Sequence, residues 1–169
     1  EGRLRDPVLR ENFIERVFAY RRYQDLLRDD RTKPALVRFH TIHKFLLLSH
    51  SRPHYEALGR LVGEAHRYRP KELAETYGAL FMSALAVKAT VRKHVNVLNH
   101  IVGFFRSKLT AQEKRELLGV IEDFRHGLTP LIVPVTLVKH YVMRFGITYV
   151  QDQVYLHPHP KELMLRNHV

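Results

Sequence analysis

Five prolines cut this chain into stretches that each begin where a helix tolerates proline best. Pro7 follows Asp6, Pro130 follows Thr129, and Pro34, Pro53 and Pro70 each open an apolar pattern. Proline has no amide hydrogen and a preset φ, so it suits the first helical turn, where the amide has no intrahelical partner, and breaks the ladder further in. Asp6 and Thr129 are residues that cap such a start. After Pro7, Leu9, Phe13, Val17 and Tyr20 recur at helical spacing, with Ile14 and Phe18 widening the apolar face, until Arg28-Asp-Asp-Arg31 breaks the pattern. A second helix is predicted from Pro34 to about Ser49, apolar all round at Phe45–Leu48, and a short third from Pro53 to about Ala65.

Arg69-Pro70 opens a pattern that could continue to Ser107, roughly 55 Å at 1.5 Å per residue, with Gly78 or Gly103 as the places to kink or divide it. Thr110-Ala-Gln-Glu113 is a capping box and Gly127 a C-terminal stop, which predicts a helix over 111–126. Thr129-Pro130 opens another, with Pro134 near its first turn and Gly146 at its end. Ile147–Leu156 is strand-like in composition but has no partner strand, and reads as an arm packed on the helices. His157-Pro-His-Pro160 turns into a last short helix at Lys161–Asn167. No repeat, linker or low-complexity tract divides residues 1–169. The expectation is an all-α, single-domain bundle of six or seven helices with an extended C-terminal arm.

A chain of 169 residues with 45% hydrophobic and 10% aromatic residues can bury a real core. Lys plus Arg number 28 against 17 Asp plus Glu, a net charge of +11. Such an excess favours a polyanionic partner, chiefly nucleic acid or an anionic membrane surface. There is no cysteine, so disulfides, zinc thiolate sites, cysteine nucleophiles and iron–sulfur ligation by this chain are excluded. That composition is compatible with the cytoplasm, which is the expected compartment. Apolar runs fall far short of the ~20 residues of a membrane span, no signal peptide opens the sequence, and the start at Glu1 suggests a piece of something longer.

Within the long pattern lies a polar stripe. At 100° per residue Lys88, Arg92, Asn96, Asn99 and Gly103 fall in a sector of roughly 80°, with Lys93 and His100 at its edge. Leu80, Ala84, Val87, Val91, Val95, Leu98, Val102 and Phe105 form the opposite stripe. Asparagine disfavours helix interiors because its amide competes for the backbone, so two aligned with cations and a histidine suggest donors facing something polar, against the plainer reading of a solvated face. A second basic segment, Arg38-Phe-His40-Thr-Ile-His43-Lys44, sets His40 and Lys44 on one face, while His43 lies in line with Leu36, Phe39 and Leu46 as a core histidine. Lys139-His140 with Arg144 is a third, where cations also suit a helix C-terminus. No metal site is predicted: His40-x-x-His43 has no third ligand at suitable spacing. All glycines are isolated, so no phosphate loop is present, and no acid–base pair or nucleophile elbow stands out.

The same segments resemble the YbgA-like family. The resemblance rests on Arg5-Asp-Pro-Val-Leu-Arg-Glu-Asn-Phe13, Arg16-Val-Phe-Ala-Tyr-Arg21, Arg38-Phe-His40…Lys44 and Thr90-Val-Arg-Lys-His-Val-Asn-Val-Leu-Asn-His100. It continues through Leu131-Ile-Val-Pro134…Lys139-His-Tyr141 and ends in Asp152-Gln-Val-Tyr-Leu-x-Pro-His-Pro-Lys-Glu-Leu-Met-Leu-Arg-Asn-His168. The family was long a domain of unknown function, found alone or fused behind a cysteine-rich domain similar to thiouracil desulfidases. The resemblance implies an accessory to removal of sulfur from thiouridine in tRNA, with any iron–sulfur cluster in the fused or partner domain. It carries no catalytic residues over.

The resulting expectation is an RNA-binding module, chiefly for tRNA, with a desulfidase domain as partner in cis or trans and no membrane contact. Arg38, His40, Lys44, Lys88, Arg92 and Lys93 would line one electropositive groove with Asn96, Asn99, His100, Lys139 and His140. One alternative is an enzyme acting on a nucleotide or small anion in a closed pocket of Lys88, Arg92, Asn96 and His100. Another is a docking module presenting Tyr149, Val154 and Tyr155.

Overall fold

The computed structural model describes residues 5–168. Helices are α1 (Pro7–Asp29), α2 (Lys33–His50), α3 (Arg52–Gly63), α4 (Pro70–Ala86), α5 (Val91–Gly103), α6 (Ala111–Arg125), α7 (Ile132–Arg144) and the single turn α8 (Thr148–Gln151). No strand occurs among the described residues. Two start signals act as read: Asp6 accepts from the Val8 and Leu9 amides, and Thr110 and Glu113 close a reciprocal capping box; Thr32, accepting from the Ala35 amide, caps α2 as well. α7 starts at Ile132, two residues beyond Pro130, with no side-chain cap. The C-terminal segment packs on the helices as a string of short 3-10 turns at 154–156, 161–163 and 165–167, not as the single short helix expected over 161–167.

α2 is the central helix, which explains its apolar run. Phe45 joins a core with Leu98, Ile101, Phe105, Phe124, Val138 and Tyr155, built on α5, α6, α7 and the C-terminal segment. Leu46 and Leu47 join a second core with Leu58, Leu73, Tyr77, Phe81 and Leu85, built on α1, α3 and α4. Complete burial of each large side chain stabilises by about 1.5–3 kcal/mol.

Two expectations are corrected. α1 packs the other way round. Phe13, Val17 and Tyr20 are about half exposed, while Glu11, Glu15, Ala19 and Tyr23 face inward. Two buried carboxylates are tolerable only with partners, and their partner comes from the far end of the chain, beyond the reach of any periodicity argument. The long helix is also divided at Val87–Thr90, where no glycine marks it, and α5 then ends at Gly103, one of the two positions expected to interrupt the pattern. Asn12 of α1 spans the break: its Nδ2 donates to the Leu85 carbonyl (3.2 Å) and its Oδ1 accepts from the Ala89 amide (3.1 Å). The Lys93 ammonium donates to the carbonyls of His50 (2.6 Å) and Lys88 (2.7 Å), and Thr90 caps the restarted helix. These tertiary bonds take up backbone groups that a continuous helix would have paired internally. The divided pattern leaves Val87 and Val91 exposed and turns His94 into the core.

Gly78 lies within α4, where its lack of a side chain makes room for Tyr23: a Cβ there would lie 2.6 Å from Tyr23 Cε1.

Candidate functional site

α5 presents the predicted polar row to solvent. Arg92, Asn96, Asn99 and His100 are all exposed, and Lys88 is exposed in the linker before the helix. None of the ion pairs among the described residues engages Lys88 or Arg92, whereas Arg38 is paired with Asp30 (3.2 Å). The row runs into an aromatic patch that the sequence analysis does not contain. Phe104 and Tyr149 stack at 5.5 Å between centroids, His100 lies 6.1 Å from Phe104, and Phe45 supports all three from beneath at 5.5–6.3 Å. Phe104 and Tyr149 keep 41% and 39% of their surface in water, enough to offer a ring face. Phe104 follows α5 directly and Tyr149 comes from α8, so neither lies in a basic run that would mark it.

The remaining predicted residues do not join this row. His40 is buried, bonded through Nδ1 to the Tyr77 hydroxyl (3.2 Å), and burial, with the charge of Lys44, pushes it down to about 4. With Lys44 it lines a cavity of about 290 Å³ between α2 and α3. Lys93 is occupied by backbone carbonyls. Lys139 lines a different cavity, beside His157 (3.2 Å), and His140 is exposed on α7. Lys88 lines yet another, of about 240 Å³. The single shared groove is therefore corrected to several separate surfaces: His40 and Lys44 line one cavity, Lys139 a second and Lys88 a third. His43 is the core histidine expected, stacked on Phe39 at 3.9 Å and bonded to the Phe39 carbonyl at 2.7 Å; burial pushes it down to about 3.

The most concentrated polar chemistry is internal. Arg166 donates to Glu11 (2.9 Å), to Glu15 (2.9 Å) and to the Tyr155 carbonyl (2.7 Å), with its guanidinium 4.9 Å from the Tyr155 ring. Glu15 also meets His50 Nε2 at 3.1 Å, while His50 Nδ1 faces the Val87 carbonyl at 2.8 Å. Burial alone would push the Glu15 carboxyl up; the hydrogen bond from His50 and the charge of Arg166 outweigh it and hold it well below the usual carboxylate range. His94 bonds the Tyr155 hydroxyl (3.1 Å), and burial, with the charge of Arg166, pushes it down to about 3.

Glu11, Glu15 and His159 bring ligand atoms within 4.8 Å of one another, a spacing that would suit a metal, but the guanidinium of Arg166 already bonds both carboxylates. The cavity over Glu11, Glu15 and His94 shares only Lys88 with the expected enzyme pocket; Arg92, Asn96 and His100 are not among its lining residues. The arm offers little to a docking partner: Val154 and Tyr155 are buried and only Tyr149 is exposed. The sequence signal for the internal cluster is faint, consisting of two glutamates four residues apart in line with Ala19 and Tyr23, and a lone arginine in the terminal motif.

Comparison with known proteins gives three findings. A family model described as "Protein of unknown function (DUF1722)" matches residues 44–160, a span that holds all of α3 to α8. The "Uncharacterized protein YbgA" of Escherichia coli (strain K12) is 30% identical over 158 residues, covering 93% of this chain and 94% of that protein. No solved structure matches. No helix among the described residues is long and apolar enough to cross a membrane.

Proposed function

Because this chain belongs to the DUF1722 family, whose function is unknown, and is similar to YbgA, we propose from its own surface that it binds RNA through the outer face of α5. The observation that carries the reading is the continuity of Arg92, Asn96, Asn99 and His100 with the exposed Phe104–Tyr149 stack. Cations neutralise phosphates, amides and imidazole bond 2′-hydroxyls and base edges, and a free ring face accepts an unstacked base. Gly103 on the same face leaves open space where a Cβ would stand, so a backbone can approach closely. The net charge of +11 supplies long-range attraction.

The resemblance narrows the ligand to tRNA and gives the module its setting: capture of thiouridine-bearing tRNA for a desulfidase domain in cis or trans. Without a cysteine this chain supplies no cluster ligand, so its part in that reaction is to bind and orient.

The test is binding of total tRNA and of duplex DNA across a salt series. tRNA is expected to bind more tightly, with log affinity falling by about 0.7–0.9 per neutralised phosphate against log salt. Equal weak binding of both polymers overturns the reading.

A further inference from the structure

A cavity of about 520 Å³ lies between α1, α7 and the C-terminal turns, remote in sequence from α5. No aspartate or glutamate lines it. Arg22, Lys139 and Lys161 do, and among the described residues none of the three has an acidic partner within 4 Å. Arg22 spends Nε on His43 (3.2 Å) and Nη1 on the Pro158 carbonyl (2.9 Å), both neutral. Lys139 directs its ammonium at His157 Nδ1. The neighbouring carboxylates, Glu11 and Glu15, are already held by Arg166. Positive charge thus collects at the rim of a concave space, and it is close enough to be self-repelling: burial and the charges of Arg166 and Lys161 depress Lys139, and burial and the charge of Lys139 depress His157. An anion would relieve that repulsion.

Much of the rest of the wall is apolar. Beside the polar Arg166, Asn167, His157 and His159, that wall carries Phe18, Ile132, Val135 and Leu156, an apolar surface that suits a flat ring and not a bare ion. We propose that this cavity binds a phosphomonoester carrying one ring, of the nucleoside monophosphate class, with the phosphate on Lys139 and Lys161 and the ring against Phe18 and Leu156. Such a group comes either free in solution or as the 5′-phosphorylated end of an RNA. The proposal stands on residues separate from the α5 face and holds whether or not that face binds RNA.

Calorimetric titration with uridine monophosphate, uridine and inorganic phosphate tests it. The expected result is measurable binding of the monophosphate, at least tenfold weaker binding of uridine, and weaker binding of phosphate alone. In the K139M/K161M variant, which keeps both aliphatic stems, affinity for the monophosphate should fall at least tenfold, while in Arg115→Ala, an exposed cation on α6 outside the cavity, it should stay at the parent value. A 5′-phosphorylated oligonucleotide against its 5′-hydroxyl twin separates the two sources: a preference for the phosphorylated end assigns the pocket to RNA, and none with the free nucleotide still bound assigns it to mononucleotides. Uridine binding as tightly as its monophosphate, or neither monophosphate nor phosphorylated end binding to the unaltered protein, overturns the proposal without recourse to any variant.

Discussion

The guanidinium of Arg166 lies 2.9 Å from the Glu15 carboxylate, and through it the last described turn of the chain is tied to the first helix. Both side chains are under 5% exposed. Removing one member of such a pair leaves the other charged and dry, which typically costs about 3–5 kcal/mol. Arg166→Met should therefore lower unfolding free energy by about that amount in urea titrations. A loss under about 1 kcal/mol would mean the cluster is wetter than its geometry implies.

Gly78→Ala should destabilise although alanine is the better helix former. The new methyl would stand 2.6 Å from Tyr23 Cε1. Tyr23 cannot swing away freely, because its hydroxyl donates to the Ala74 carbonyl and its ring packs on Phe39, Tyr77 and Phe81. Overpacking of this kind costs about 1–3 kcal/mol, more than the ~1 kcal/mol that alanine gains in helix propensity. A raised melting temperature for this variant would contradict the packing described.

Stability should fall as pH drops from 6.5 towards 4. His40 is held down at about 4, and His43 and His94 at about 3, each chiefly by burial, so over this window the unfolded chain takes up protons that the folded chain refuses. Each histidine then removes up to about 1.4 kcal/mol of stability per pH unit. Glu15, depressed below the usual carboxylate range, adds its own loss only below about 4.5. Unfolding free energies measured at pH 7 and pH 5 should differ by several kcal/mol, and equal values would show that these rings are not buried neutral.

On the α5 face the two kinds of contact should separate in their salt response. Tyr149→Ala removes a stacking surface and should weaken tRNA binding by about 1–3 kcal/mol with the salt slope unchanged. Arg92→Ala should reduce that slope by about one. If both variants bind tRNA like the parent, the face is not the interface.

Local chemistry made much of this architecture legible: Asp6 and the Thr110–Glu113 box set helix starts, and the run at Phe45–Leu48 marks the helix that serves two cores. What escaped depends on partners distant in sequence. Glu11 and Glu15 stand outside the apolar face read for the first helix, and nothing near them in sequence shows that Arg166 will neutralise them. Val87 and Val91 continue an apolar stripe, so the break between them is invisible until Asn12 and Lys93 are seen to hold its backbone. The row on α5 was legible because one helix carries it. The groove shared by three helices was not, because periodicity fixes which residues share a face but not where that face points.

Synthesis order gives the Arg166 clasp one more consequence. Glu15 is made 151 residues before the arginine that completes its site. At about 5–20 residues per second, α1 waits roughly eight to thirty seconds with two uncompensated acids on the side it must later bury. A nascent chain that has not reached residue 166 lacks the cation that both acids share, so this corner of the fold can close only after the arginine is made.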